Sequence, residues 1–382
     1  MADFSIKISA QTLLGPDVVN RLALFAAQTA ERCLIVVDPA LYEAKIVERV
    51  VAILNAKNIQ FIVFDEISED PGTKTAEEII NLARGSRSQA VIGMGGARVL
   101  SLAKAVAMAA REEGDLDGIV DGRPLRTEGL PYLAIPTAYR DPFLYSDRVL
   151  LTDSRDRSAK IVAAQGDLTR LVLIDPTLCV SLSPKLSSLV CLDIVLECLE
   201  GYISQKASFF SDTIFEKAFE LGFRALDGFI SRPEDPQNRQ SAAEAAFLSA
   251  YGLAASSLGI GSALGFCLNS RYSIPKASLS AIFLPYIMES ASVSRVEKMA
   301  RLAALSGEET AGLTSVEAAG KAIDGIRQRL GAMRVPTRLK DFDLKLDDLV
   351  ESAAAARDME MCAYLPRTMS VEDVYDILKQ AF

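Results

Sequence analysis

The sequence predicts two domains: an α/β domain built on a doubly wound parallel sheet over residues 1–181, and an all-helical domain over residues 182–382. Three observations predict them. The chain has 382 residues, more than one core usually serves, since single hydrophobic cores stop growing at roughly 250–300 residues. Its first half alternates short apolar runs with stretches of three-to-four periodicity, the pattern of parallel strands with helices packed on them. Beyond Pro184 almost every stretch reads as helix, with Pro and Gly at the ends.

The apolar runs Cys33 to Val37, Phe61 to Phe64, Ala90 to Gly93 and Tyr132 to Ile135 have strand length. Between the first two, Ile46, Val50, Ile53 and Leu54 are spaced as one face of a helix. The DPG at Asp70 to Gly72 supplies a turn, and Thr75 with Glu78 makes a capping-box signature for a helix from about Ala76. A hairpin is expected from Val149 to Leu151 and Ile161 to Ala163 around the polar turn DSRDRS. The character changes after Leu171 to Ile174, which sets the domain boundary at Asp175 to Pro184. Helices are expected at Ser188 to Ser204, Asp212 to Gly228, Val293 to Leu305 and Val316 to Leu330. The uncharged stretch Ala245 to Ser270 has the length of a bilayer span, about 20 residues. It is thin in large aliphatics and rich in Ser and Gly, so it reads as a buried helix–turn–helix.

Composition narrows the function. Half the residues are apolar and 24% are charged, as in a packed globule. A formal net charge of −9 excludes a general polyanion binder, whose affinity rests on Lys and Arg against phosphates, so no nucleic-acid partner is expected. Cys33, Cys179, Cys191, Cys198, Cys267 and Cys362 show no CxxC spacing and read as thiols in a reducing compartment, the cytoplasm. The N-terminal MADFSIKIS has neither the basic start nor the apolar stretch of an export signal. The chain contains no histidine, which removes the commonest general base and the commonest transition-metal ligand.

The most informative stretch of the first half is AVIGMGGARVLSLAKAVA, Ala90 to Ala107: strand, glycine cluster, amphipathic helix. Glycines at such a turn let backbone amides approach a pyrophosphate, and the helix N-terminus adds N–H donors and a favourable dipole. The alternative is a purely structural turn. Asp38, at the end of CLIVVD, has the position of a carboxylate that binds a ribose hydroxyl. It equally suits a cap or turn residue before Pro39.

With these motifs in place the chain resembles the iron-dependent alcohol dehydrogenases, whose relatives include glycerol dehydrogenase and dehydroquinate synthase. The family's IGGGGS-x-x-D-x-AK turn matches GMGGARVLSLAK at Gly93 to Lys104. Its IPTTAGTGSE aligns on IPTAYRDPFL at Ile135 to Leu144, and its TD pair on Thr152 and Asp153. IDPTL stands at Ile174 to Leu178, and G-x-DAL-x-HA-x-E-x-Y becomes CLDIVLECLEGY at Cys191 to Tyr202. The histidine helix and VPH turn become SALGFCLNSRYSIPK at Ser262 to Lys276, and NPR-x-x-T-x-ED becomes LPRTMSVED at Leu365 to Asp373. The resemblance implies a dehydroquinate synthase-like fold with a Rossmann-like first domain, NAD(P), a ligand in the cleft between the domains and a homodimer. It also implies a metal held by an aspartate and three histidines.

Carried over by position, those metal ligands are Asp193, Glu197, Ser262 and Lys276, and a further family histidine near the substrate is Phe266. Asp193 and Glu197, four apart, share a helix face and repel unless a cation lies between them. Three readings stand open: the Lys276 ammonium replaces the metal in a structural ion-pair cluster; Asp193, Glu197 and Ser262 bind a hard cation such as Mg²⁺; or Lys276 is itself catalytic, an electrophile or base. The plain alternative is a solvated helix face.

On the cofactor side the expected contacts are Asp38, Gly95, Gly96, Ala97, Arg98, Thr137 and Arg140. Ala97, Arg98 and Ser101 replace the family's glycine, serine and aspartate, and Tyr139, Arg140, Asp141, Pro142 and Phe143 replace small residues that line its cofactor. Side chains of this size take up room a dinucleotide needs. Arg98 and Arg140 either grip a different anion or are solvated. Two functions follow as expectations: a pseudoenzyme or binding protein for a small anionic or nucleotide ligand, or an NAD(P)-dependent alcohol or aldehyde oxidoreductase without iron or zinc. Iron and zinc are not expected, and NAD(P) is expected to bind weakly.

Overall fold

The computed structural model describes residues 6–68 and 71–382; Asp70 of the expected DPG turn and the first five residues of MADFSIKIS lie outside the described residues. The chain divides into two units, Lys7–Ser183 and Pro184–Phe382.

In the first unit the apolar runs are strands because both faces of each must be covered. Cys33, Ile35 and Val37 pack into one core with Leu22, Ala26, Val47, Val50 and Leu54. The alternate residues Leu34 and Val36 are equally buried on the opposite face. The elements are β1 (Gln11–Leu14), α1 (Leu22–Thr29), β2 (Arg32–Val37), α2 (Ile46–Asn55), β3 (Gln60–Phe64), α3 (Thr73–Gly85), β4 (Ala90–Gly95), α4 (Ala97–Ala109), α5 (Leu116–Val120), β5 (Tyr132–Pro136), β6 (Arg148–Thr152), β7 (Ala159–Ala163) and β8 (Thr169–Ile174). Among the described residues six strands form a parallel sheet in the order β1-β8-β5-β4-β2-β3. The strand order turns back between β2 and β4, the position where open α/β sheets offer a crevice at their carboxyl ends. The expected hairpin is β6–β7, with Val149 opposite Val162.

Two expectations need correction, and one strand was missed. The short β1 was not foreseen. The Thr75–Glu78 capping box does not start α3, which begins at Thr73 after Gly72 with no side-chain cap. Its first turn is held from the hairpin turn instead: Lys74 N–H donates to Ser154 Oγ at 3.0 Å, and Ser154 N–H donates to Thr73 Oγ1 at 3.1 Å. The single helix expected over Val293 to Leu305 is two, because the backbone leaves helical geometry at Arg295 (φ −138°, ψ 40°).

The second unit is helical: α6 (Pro184–Ile203), α7 (Phe209–Ser231), α8 (Pro236–Leu253), α9 (Ile260–Tyr272), α10 (Lys276–Ser294), α11 (Val296–Leu305), α12 (Ser315–Met333), α13 (Val350–Arg357) and α14 (Val371–Ala381). Every residue of α6 from Ser187 to Ile203 is buried, so this helix runs through the core with no solvent face. Close approach around it uses small residues. A Cβ on Gly201 would come within 2.3 Å of the Phe215 ring, and one on Gly252 within 2.7 Å. The uncharged stretch Ala245 to Ser270 covers the end of α8, a turn and most of α9. Among the described residues no helix is long and apolar enough to cross a membrane.

Candidate functional site

The candidate residues fall into one group in each unit. In the α/β unit they gather at the carboxyl ends of β2, β4 and β5. Asp38 N–H donates to Met94 O at 2.9 Å, and Thr137 N–H donates to Gly95 O at 3.0 Å, so the segments after the three strands are tied side by side. Gly96 is the N-cap of α4, and Ala97 and Arg98 form its first turn. Asp38 Oδ1 accepts from Ala40 N–H at 3.1 Å, capping the short turn Pro39–Leu41.

The glycine cluster is filled by the chain itself. A Cβ on Gly93 would lie 2.7 Å from Ala103 Cβ and from Tyr132 Oη, and one on Gly95 2.8 Å from Val99 Cβ and 3.1 Å from Asp38 Cβ. These glycines seat α4 close against its strand. Gly96 faces Ala138 Cβ at an ordinary 3.5 Å. After β5 the segment folds inward. Tyr139 takes a left-handed conformation (φ 61°) that costs a non-glycine residue on the order of 1–2 kcal/mol. Its ring is buried, as are Thr137, Asp141, Phe143, Leu144 and Tyr145.

The residue that pins this segment, Lys104, carries no sequence signal of that role. Lys104, buried on α4, donates to Phe143 O (2.7 Å), Ser146 O (2.7 Å) and Arg148 O (3.0 Å). Burial pushes its ammonium down to about 8, against the pull of Asp141 and Asp147. Burial likewise pushes the Asp141 carboxyl up, with the Lys104 charge and the Phe143 N–H opposing it.

In the helical unit Lys276 opens α10 and Asp193 and Glu197 face it from α6. Lys276 Nζ donates to Asp193 Oδ1 at 2.5 Å and to Glu197 Oε1 at 2.8 Å, with all three side chains buried. The ammonium also lies 5.0 Å from the centroid of the Phe266 ring, within cation–π range. Gly265 makes room for the lysine stem, since a Cβ there would sit 3.2 Å from Lys276 Cγ. Ser280, one turn along α10, donates to Asp193 Oδ1 at 2.6 Å; no motif singled it out. Ser262 is fully buried, and its N–H donates to Glu200 Oε1 at 3.0 Å. Glu200 Oε1 also accepts from Gly261 N–H at 2.6 Å, so this carboxyl caps α9 from the neighbouring helix. Burial pushes the Glu200 carboxyl up, while the Ser262 hydroxyl, the Ser262 and Gly259 N–H groups and the Lys276 charge pull it down.

Two family descriptions match consecutive parts of the chain: iron-containing alcohol dehydrogenase over residues 9–176, and the C-terminal region of the Fe-containing alcohol dehydrogenase family over residues 189–382. The chain belongs to the iron-containing alcohol dehydrogenase family. It is similar to long-chain-alcohol dehydrogenase 1 of Geobacillus thermodenitrificans, with 26% identity over 92% of this chain and 90% of the relative. Lactaldehyde reductase of Escherichia coli is 24% identical over 92% of each chain. The solved alcohol dehydrogenase from Oenococcus oeni superposes with a TM-score of 0.92 over the whole of both chains at 21% identity, which shows the shared fold.

The residues onto which the resemblance carries the metal ligands, Asp193, Glu197, Ser262 and Lys276, do not suit iron. Imidazole nitrogens are absent from the chain, and an ammonium bonds one oxygen of each carboxylate that faces it. Among the described residues no group of three His, Cys, Asp or Glu side chains is arranged to hold a metal ion.

Proposed function

We propose that this chain is a metal-free member of its family, a pseudoenzyme that keeps the scaffold as a binding protein for a small anionic ligand. The observation that carries the reading is the Lys276 ammonium bonded to Asp193 and Glu197. An ammonium has three N–H donors. Two go to carboxylates and the Phe266 ring covers a further side, which leaves this group suited to holding α6, α9 and α10 in place rather than to polarising a carbonyl. Of the three readings of the constellation, the structural ion-pair cluster therefore has the best support. Arg98 at the start of α4 and Arg140 after β5, both half-buried, supply guanidinium groups suited to phosphate or carboxylate. The six buried cysteines suit a reducing compartment such as the cytoplasm, and a homodimer is the assembly the family resemblance implies.

The purified protein is expected to carry well under one equivalent of iron or zinc after incubation with either ion and desalting. Elemental analysis returning about one chelator-removable equivalent would overturn the metal-free reading.

A second reading, an NAD(P)-dependent oxidoreductase of alcohols or aldehydes, is favoured by the retained turn from β4 through Gly96 into α4. The two readings part on cofactor affinity. Because Val99 and Asp38 crowd Gly95 and the residues after β5 carry bulky side chains, calorimetry is expected to show no saturable binding of NADH or NADPH at micromolar concentrations. Any residual binding should prefer NADH, since the Asp38 carboxylate repels a 2′-phosphate. Micromolar affinity for either nucleotide moves the oxidoreductase reading ahead.

A further inference from the structure

At the amino ends of β2, β3 and β4, the end of the parallel sheet opposite the glycine turn, the surface carries a groove of about 620 Å³. That volume lies in the range of small-ligand pockets, roughly 300–1,000 Å³. Lys57 precedes β3, Arg32 opens β2 and Arg87 precedes β4, and all three line the groove. Because β2 lies between β3 and β4, the outer two cations stem from loops two strand spacings apart, about 10 Å. Glu31 is the one carboxylate in the lining, on a chain whose formal net charge is −9.

The helices that return to this end of the sheet, α1, α2 and α3, bring the negative ends of their dipoles here, and part of the positive charge answers them. Arg32 Nη1 donates to Ser86 O at 2.8 Å, just past the end of α3. Lys57 and Arg87 differ from it: their exposed side chains make no hydrogen bond or ion pair among the described residues. Arg87 also holds φ 53°, where glycine is less strained, so the turn carries this side chain at a backbone cost. Two side-chain amides add donors. Gln60 Oε1 accepts from Arg32 Nε and Nη2 at 3.1 and 2.8 Å, and Gln89 Oε1 accepts from the Glu31 and Arg32 N–H groups at 2.8 and 3.2 Å. Since those partners are all N–H donors, the oxygen end of each amide is committed to the protein and its NH2 end remains to donate.

We propose that this groove binds a small compound with two anionic groups, phosphate or carboxylate, one held from the Lys57 side and the other from the Arg87 side. Guanidinium, ammonium and amide N–H groups all suit the oxygens of either group, and a single carboxylate opposes them. The spacing of the cations selects for two charges, since an anion with one engages one end only. The site is separate from Arg98 and Arg140, which lie at the carboxyl ends of the strands, so it does not rest on the reading given above.

Calorimetry of the whole protein at low ionic strength tests this with three probes: fructose 1,6-bisphosphate, citrate and inorganic phosphate. Saturable binding of the bisphosphate or of citrate is expected, and the tighter of the two identifies the anionic group. Inorganic phosphate is expected to bind at least about tenfold more weakly, as it engages one end. Lys57→Glu and Arg87→Glu alter exposed side chains, so both should fold as wild type does, and each is expected to weaken binding at least about tenfold, the effect of losing a charge-assisted hydrogen bond. Glu31→Gln should tighten binding, an outcome that damage to the fold does not produce. Lys321→Glu makes the same charge change on an exposed residue of α12 and should leave the affinity within about twofold of wild type. Absence of saturable binding by both organic probes, or wild-type affinity in both Lys57→Glu and Arg87→Glu, overturns the proposal. So does inorganic phosphate binding as tightly as the organic probes, or a Lys321→Glu protein as weak as the groove variants, since the effect would then be one of overall charge.

Discussion

Lys276→Ala is expected to destabilise the protein by about 3–5 kcal/mol, the usual cost of removing one partner from a buried ion pair. Asp193 and Glu197 are 0% and 1% exposed, so once the ammonium is gone neither carboxylate can turn to water for compensation. Ser280 still donates to Asp193 Oδ1, but one neutral hydroxyl does not balance two charges. The triple variant Asp193→Asn, Glu197→Gln, Lys276→Met removes the charges together and should cost much less than Lys276→Ala alone. Chemical denaturation of the three proteins measures both differences. A Lys276→Ala protein as stable as wild type would show that the ammonium does not do the metal's structural work. An independently functional lysine would then be the better reading.

That cluster was legible to an unusual degree, and the reason is geometric. Asp193 and Glu197 lie four apart on one helix, which fixes their common face before any packing is known. The resemblance carries three histidines onto Glu197, Ser262 and Lys276, and Lys276 is the one cation among those positions. The parallel sheet was legible for a similar reason: strands buried on both faces are written as unbroken apolar runs such as CLIVV and AVIG. What escaped depends on contacts between distant parts of the chain. Nothing near Thr73 in sequence shows that α3 is held by Ser154, and the local Thr75–Glu78 pattern pointed to the wrong residue. Ser280, Glu200 and Lys104 are ordinary helix residues by sequence. Their roles arise only when packing removes water and leaves one acceptor, one helix end or three carbonyls to satisfy. The glycines of β4 read as room for a ligand, whereas at Gly93 and Gly95 the room is taken by Ala103, Tyr132, Val99 and Asp38.

Lys104→Met should cost about 3 kcal/mol, because it leaves the buried Phe143 carbonyl and two part-buried carbonyls without this donor at roughly 1–3 kcal/mol each, partly offset by no longer burying a charge. The loss should be local as well as global. Phe143 O and Ser146 O lie in the segment after β5 and Arg148 O at the start of β6, so amide exchange should quicken there before it does in the parallel sheet. The pH dependence gives an independent check. Burial lowers the folded-state pKa of Lys104 to about 8 from an ordinary 10.5, so between those values the unfolded chain holds a proton that the folded chain has released. Stability then rises with pH across that window; this contribution is fully present above the unfolded pKa and is lost as pH falls through about 8. The variant lacks the group and hence this contribution. The stability gap between wild type and Lys104→Met, from denaturation at a series of pH values, should therefore widen from about pH 7 to about pH 10. A gap that stays flat to about pH 10 and narrows only above the ordinary lysine value of 10.5 would mean that the three carbonyls and Asp141 hold the ammonium more strongly than burial disfavours it.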